Sequence, residues 1–341
     1  MAIVRELIVE GYGSFLGKYQ GRLRVTCKGQ RVEEAPLMHL QRVVISGRGV
    51  SVSGDAIAAC CLEGIPIHFV DGHGRPYAGI YSAGLTGTVL SRREQLAAYL
   101  DRRGVDVGRA LARAKIANQA ALLRYMAKYR KEAAPEQYAL LRQAADKVLA
   151  HQKELDALDG ERIDAVRELL LSAEGRAAQY YWAALKGVLP EAYGWPGREG
   201  RGAEDPINAA LNYGYGILYS YVEQAILLAG LDPYAGFVHA DRPGKPSLVY
   251  DLIEPYRVPA VDRVVVGLVN KHVSLAMDER HLLTEEARRM LAERVLDRLG
   301  KPERYEGKRV TLRGIMQQQA RHMTTFLRGE REEFVPFTVS W

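Results

Sequence analysis

GIPIHFVDGHGRPYAGIYSAGLTGTVLSRREQLAAYL (residues 64–100) contains the change of rhythm that decides the fold. Up to Tyr81 the apolar residues come in short runs rich in Val and Ile. The runs 65–70 and 77–81 flank Asp71-Gly72-His73-Gly74, a strong hairpin signal. From Ser91 the apolar period lengthens from 2 to 3.6. Ser91-Arg92-Arg93-Glu94 has the form of a capping box, in which the serine hydroxyl and the glutamate satisfy free amides at a helix start. A domain boundary is therefore predicted near 83–91.

Working outward to the N-terminus, residues 3–9, 22–27, 43–46 and 50–53 read as further strands. One short helix is expected over 55–63, closed by Gly64. Working outward to the C-terminus, helical patterning runs to about Arg328, with breaks near 187–205 and 232–262. The expected architecture is α+β. A small N-terminal β-sandwich-like domain (residues 1–86) precedes a larger all-α catalytic domain (residues 91–341).

The chain has 341 residues, of which 48% are hydrophobic and 26% charged, enough to bury a core and too apolar for disorder. Three cysteines, two of them adjacent, cannot form a disulfide framework and suit a reducing interior. The opening MAIVRELIVE lacks the features of a signal peptide, and no apolar run reaches the roughly 18 residues of a membrane span. A soluble cytoplasmic protein is expected, with no membrane partner. The net charge is +6, but residues 75–150 carry 14 lysines and arginines against six aspartates and glutamates, a local excess of +8. Helices bearing Arg92, Arg93, Arg124, Lys128 and Lys131 suit a polyanion, although a solvated face has the same composition.

Three segments carry candidate chemistry. In the predicted helix 161–186 the apolar stripe is Ile163, Val166, Leu170, Ala177, Tyr181 and Leu185, and Glu174 falls inside it. A carboxylate buried there needs a cation, a metal or a shifted pKa. The segment FVHADRPGKPSLVYDLIEPYR (237–257) reads as loop and strand and brings His239, Asp241, Asp251 and Glu254 near Lys245 and Arg257. A histidine with two or three carboxylates suits Mg²⁺ or Mn²⁺, the imidazole favouring manganese. Residues 205–230 read as a helix with Asp205 as N-cap and Pro206 at its first position. Nucleotide-binding glycine loops, a G-x-S-x-G elbow and C-x-x-C pairs do not occur.

These motifs together resemble the CRISPR-associated integrase and metal-dependent DNA endonuclease of spacer acquisition, the first of the Cas proteins. The resemblance spans nearly the whole chain. It rests on GIPIHFVDGHGRPYA (64–78), KIANQAALLRY (115–125), AEGRAAQYYWAAL (173–185), DPINAALNYGYGILY (205–219) and FVHADRPGKPSLVYDLIEPYRVPAVDR (237–263). It implies metal ligands at Glu174, His239 and Glu254, the last often aspartate in the family, with His239 ligating through one ring nitrogen and Asp251 a further catalytic acid near the metal that orients the ring. It implies DNA contacts at Arg257, Lys245, Lys115, Arg124 and Lys128. The implied reaction is phosphoryl transfer with Mg²⁺ or Mn²⁺, in which a DNA 3′-hydroxyl or water attacks a phosphodiester. The implied partners are double-stranded DNA, a second copy bound through the β domain, and the small second Cas protein. Two other readings stand beside it. One is a DNA-binding scaffold of the same fold without chemistry. The other is a metallohydrolase of a small phosphorylated substrate, against which the +8 region counts.

Overall fold

Short β-branched runs between glycine turns build the first 80 residues into two sheets. The computed structural model describes residues 6–40, 42–71, 76–81, 89–200 and 204–341. The chain divides into two compact units, Met1–Thr86 and Gly87–Trp341. In the first, β1 (Glu6–Val9), β5 (Arg42–Ser46), β7 (Ile67–Val70) and β8 (Pro76–Ile80) form one sheet. Its first three strands are parallel and β8 is antiparallel to β7. The predicted hairpin is therefore present as a strand pair, while its tip, residues 72–74, lies outside the described residues.

The second sheet has the order β4 (Gln30–Pro36), β3 (Arg22–Cys27), β2 (Ser14–Tyr19), β6 (Ser51–Val52). Strands β2 and β4 escape the sequence reading for physical reasons. Gly13 and Gly17 blur the pattern around β2, and β4 is a charged edge strand exposed along most of its length. The helix α1 (Gly54–Leu62) is capped by Ser53, whose hydroxyl accepts from the Ala56 amide at 3.1 Å. One apolar cluster joins both sheets to this helix through Leu7, Leu16, Leu23, Val43, Ile67 and Ala59.

The second unit is helical apart from one short hairpin, β9 (Pro302–Tyr305) with β10 (Lys308–Thr311). Its helices are α2 (Val89–Ala98), α3 (Arg102–Lys128), α4 (Pro135–Ala150), α5 (Gln152–Asp156), α6 (Ile163–Lys186), α7 (Pro206–Leu228), α8 (Ser247–Arg257), α9 (Arg263–Asn270), α10 (Glu285–Gly300) and α11 (Leu312–Leu327). Helix α2 already runs from Val89, so Ser91 is a buried residue inside it and not the expected cap. The predicted boundary at 83–91 falls largely outside the described residues. The break expected over 232–262 ends early: α8 starts at Ser247, contains Pro255, and passes through a π-helical turn (Val258–Asp262) into α9. No helix among the described residues is long and apolar enough to cross a membrane.

Close approach of α3 to α6 is what faces their side chains across the unit. A Cβ on Gly108 would stand 3.0 Å from Ile163 Cδ1, 3.1 Å from Val238 Cγ2 and 3.3 Å from Leu170 Cδ1. The bare glycine lets the two long helices and the 231–246 loop meet there.

Candidate active site

Glu174 lies on the buried side of α6, whose stripe Ile163, Val166, Leu170, Ala177, Tyr181 and Leu185 is buried as the spacing predicts. Its Oε1 accepts from the ammonium of Lys115, which α3 delivers from the facing side. The same ammonium stands 2.6 Å from Glu254 Oε2, and Arg257 reaches Glu254 Oε1 at 3.1 Å. The side chains of Lys115, Glu174 and Glu254 retain only 13%, 14% and 7% of their exposure. Three helices thus close two carboxylates on one positive charge. Burial opposes ionisation of Glu254, but Arg257 and Lys115 overcome it and hold the carboxyl down at about 2. Burial likewise opposes the charge of Lys115, and Glu174 and Glu254 reverse the effect, leaving its pKa raised.

Asp251 stands against the His239 ring, where the resemblance implies a group that orients it, and it also holds the loop. Its side chain is fully buried, and its Oδ2 accepts from the amides of Phe237 (2.6 Å) and Val238 (3.0 Å). Its Oδ1 accepts from the His239 amide at 2.9 Å and lies 2.7 Å from His239 Nδ1. With its lone pairs engaged, Asp251 organises the loop and orients the imidazole. A carboxylate there places the proton on Nδ1, so Nε2 of the histidine carries the free lone pair. The ring keeps 37% of its side-chain exposure, so it marks the open edge of the site. Burial opposes protonation of His239, yet Asp251 and the two glutamates raise its pKa overall.

Two further residues, absent from the sequence reading, hold this loop. Gln95 of α2 is 1% exposed, donates to the carbonyls of Asp232 (2.9 Å) and Ala235 (2.7 Å), and accepts from the Asp232 amide at 2.8 Å. Arg167 of α6 donates to the Phe237 carbonyl at 3.2 Å. A glutamine or arginine satisfying loop carbonyls leaves no periodic signature, so no spacing argument could find it. Gly236 is also required: a Cβ there would meet Ser247 Cβ at 2.7 Å and Asp251 Oδ2 at 2.9 Å.

The structure corrects the role expected for Lys115. It is not a lysine on a solvated DNA track, because its buried charge is taken up by Glu174 and Glu254. Arg124 is exposed but paired with Asp146 at 2.8 Å, and Lys128 and Lys245 are exposed. Part of the +8 excess is met by acids from outside residues 75–150: Arg102 pairs with Asp159, Arg113 with Asp156, and Lys115 with Glu174 and Glu254. Arg257 lies over the ring of Tyr215, 4.7 Å from its centroid. The tyrosine hydroxyl donates to the buried Asp262.

Glu174, Glu254 and His239 offer two carboxylates and an imidazole with a free Nε2, a donor set that suits Mg²⁺ or Mn²⁺. Among the described residues no three His, Cys, Asp or Glu side chains are grouped as a metal site. The cation between the two carboxylates is the Lys115 ammonium.

A family model described as "CRISPR associated protein Cas1" matches residues 7–296. The chain belongs to the Cas1 family. It is 40% identical to the CRISPR-associated endonuclease Cas1 1 of Archaeoglobus fulgidus, covering 98% of this chain and 99% of that protein. Among solved structures, a casposase bound to integration product superposes with a TM-score of 0.82 at 21% identity, covering 97% of this chain and 93% of the other. A chain of a Cas6-RT-Cas1–Cas2 complex superposes with a TM-score of 0.79 at 21% identity, covering all of this chain and 37% of the larger one. These two likenesses establish the Cas1 fold across both units.

Proposed function

We propose that this Cas1-family chain is a divalent-metal-dependent DNA integrase and endonuclease that inserts DNA fragments into a CRISPR array in antiviral defence. The observation that carries the reading is the drawing together of Glu174 and Glu254 on Lys115, with an Asp251-oriented His239 near enough for both glutamates to act on its charge. Glu174, Glu254 and His239 are the residues that would hold a Mg²⁺ or Mn²⁺ ion, which would supply charge stabilisation at a phosphodiester. The chain does the rest by orientation. Asp251 fixes the imidazole tautomer, and Arg257 presents a guanidinium beside the carboxylates for a phosphate oxygen. A DNA 3′-hydroxyl as nucleophile forms a new phosphodiester while the target's own P–O bond breaks and releases a strand end as a hydroxyl, which is strand joining. Water in its place breaks the same bond and leaves a phosphate end, which is cleavage.

The exposed cations Arg92, Arg93, Lys128 and Lys245 support duplex DNA as the substrate. The casposase likeness supports the same substrate, and the Cas1–Cas2 likeness supports assembly with a second, smaller Cas protein. A homodimer through the N-terminal unit and a cytoplasmic location complete the reading. A non-catalytic DNA-binding scaffold is the alternative, favoured by one observation: the lysine already pairs with both carboxylates.

Strand transfer and cleavage of branched and linear duplexes, assayed with Mn²⁺, Mg²⁺ or EDTA, separate the two. The enzyme reading expects metal-dependent products that Glu174→Ala loses. DNA binding without products in any metal, with the second Cas protein present, would leave the scaffold.

A further inference from the structure

Lys115 is tied at once to Oε1 of Glu174 and Oε2 of Glu254, from α6 and α8, while Arg257 reaches only Glu254. A buried ammonium is costly unless paired, and two carboxylates this close repel unless a cation lies between them. The ammonium therefore balances the two carboxylates, and removing it leaves a net negative hole. A divalent ion taken up by Glu174 and Glu254 needs the carboxylate oxygens that the ammonium now faces. Cation, ammonium and the Arg257 guanidinium together would place four positive charges against two negative ones. Only one of cation and ammonium can hold that position.

We propose that Lys115 is a built-in counter-ion that holds Glu174 and Glu254 together before metal uptake and is exchanged for the divalent cation. The inference rests on the metal-site reading above. Its consequence is a reciprocal coupling: the metal loosens the lysine as strongly as the lysine opposes the metal. The lysine stem is long and flexible enough to swing its head away without moving α3.

The test is calorimetric titration of Mn²⁺ into wild type, Lys115→Gln and Glu174→Gln, with unfolding midpoints of the metal-free proteins. Lys115→Gln is expected to lower the metal-free midpoint and tighten Mn²⁺ binding by about 5- to 150-fold, the usual span of coupled sites. An unchanged or weaker Mn²⁺ affinity in Lys115→Gln, with Glu174-dependent binding in wild type, overturns the exchange and leaves the metal site standing. Wild-type binding no different from Glu174→Gln overturns both. If Lys115→Gln fails to fold, acetic anhydride labelling of wild type decides. Modification of Lys115, read by mass spectrometry, is expected to rise severalfold with saturating Mn²⁺. Equal labelling with and without Mn²⁺ overturns the proposal.

Discussion

At Asp251 a single carboxylate accepts from three consecutive amides, those of Phe237, Val238 and His239, and orients the His239 ring. Asp251→Asn keeps the volume but replaces an acceptor with a donor, facing amides that can only donate. Strand transfer should fall by about 10- to 100-fold, the usual cost of losing the group that orients a ligand. DNA affinity should change little, and a filter-binding isotherm run beside the assay checks that split. The sequence placed Asp251 and Glu254 three residues apart, which put both acids near one site. Which of them orients and which ligates depends on loop amides that no spacing reveals. His68 supplies a second residue-scale prediction. Burial, then Arg42, pushes its pKa from 6.5 down to about 3, so the folded N-terminal unit keeps it neutral. The unfolded chain takes up the proton below pH 6.5, so stability contributed by neutral His68 is complete above 6.5 and declines as pH falls towards 3. The slope is about 1.4 kcal/mol per pH unit once the unfolded state is fully protonated. Denaturant titrations between pH 7 and 4 should show that slope in wild type and lose it in His68→Phe.

Elements hand geometry to these residues through contacts that link distant parts of the second unit. Asn118 follows Lys115 by three on α3 and is fully buried. Its amide donates to the carbonyls of Pro255 (2.6 Å) and Phe337 (3.1 Å), and its oxygen accepts from the Val339 amide at 2.9 Å. The C-terminal segment is thereby tied to the residue next to Glu254. Phe334 and Phe337 are buried, and Arg263 lies 4.2 Å over the Trp341 ring. Asn118→Ala orphans these groups and should cost at least about 2 kcal/mol, lowering the unfolding midpoint by roughly 4–8 °C. Calorimetry checks this, and an unchanged midpoint would show that the segment adds nothing. Gly236→Ala tests the loop from the other side. A Cβ there strikes Ser247 and Asp251, so a cost of about 1–3 kcal/mol is expected, with reduced strand transfer. Helices α6 and α7 were legible because their stripes are long and their ends marked, Asp205 accepting from the Asn208 amide at 2.8 Å. Helix α8 was not, because Pro255 and the following π turn break the period that would have announced it.

Across the whole molecule, the two-unit division follows from the change of period between Tyr81 and Ser91, and the Cas1 family follows from motifs spread over both units. The charge excess was the weaker guide. Arg102, Arg113 and Lys115 contribute to that excess, whereas folding brings each an acid from outside residues 75–150. On the proposed function, DNA contact falls to the exposed residues, and affinity should fall with salt by about 0.9 log unit per log unit for each phosphate neutralised. Reversing Lys128 to glutamate should reduce that slope without changing Mn²⁺ affinity. The central claim is that Glu174, His239 and Glu254 act as one site. Strand-transfer rates of Glu174→Gln, His239→Ala and the double variant, compared with wild type under saturating Mn²⁺, test it most directly. One site predicts that each single change removes nearly all activity and the double is no worse than either. Losses that multiply, or wild-type turnover in either single variant, would contradict it.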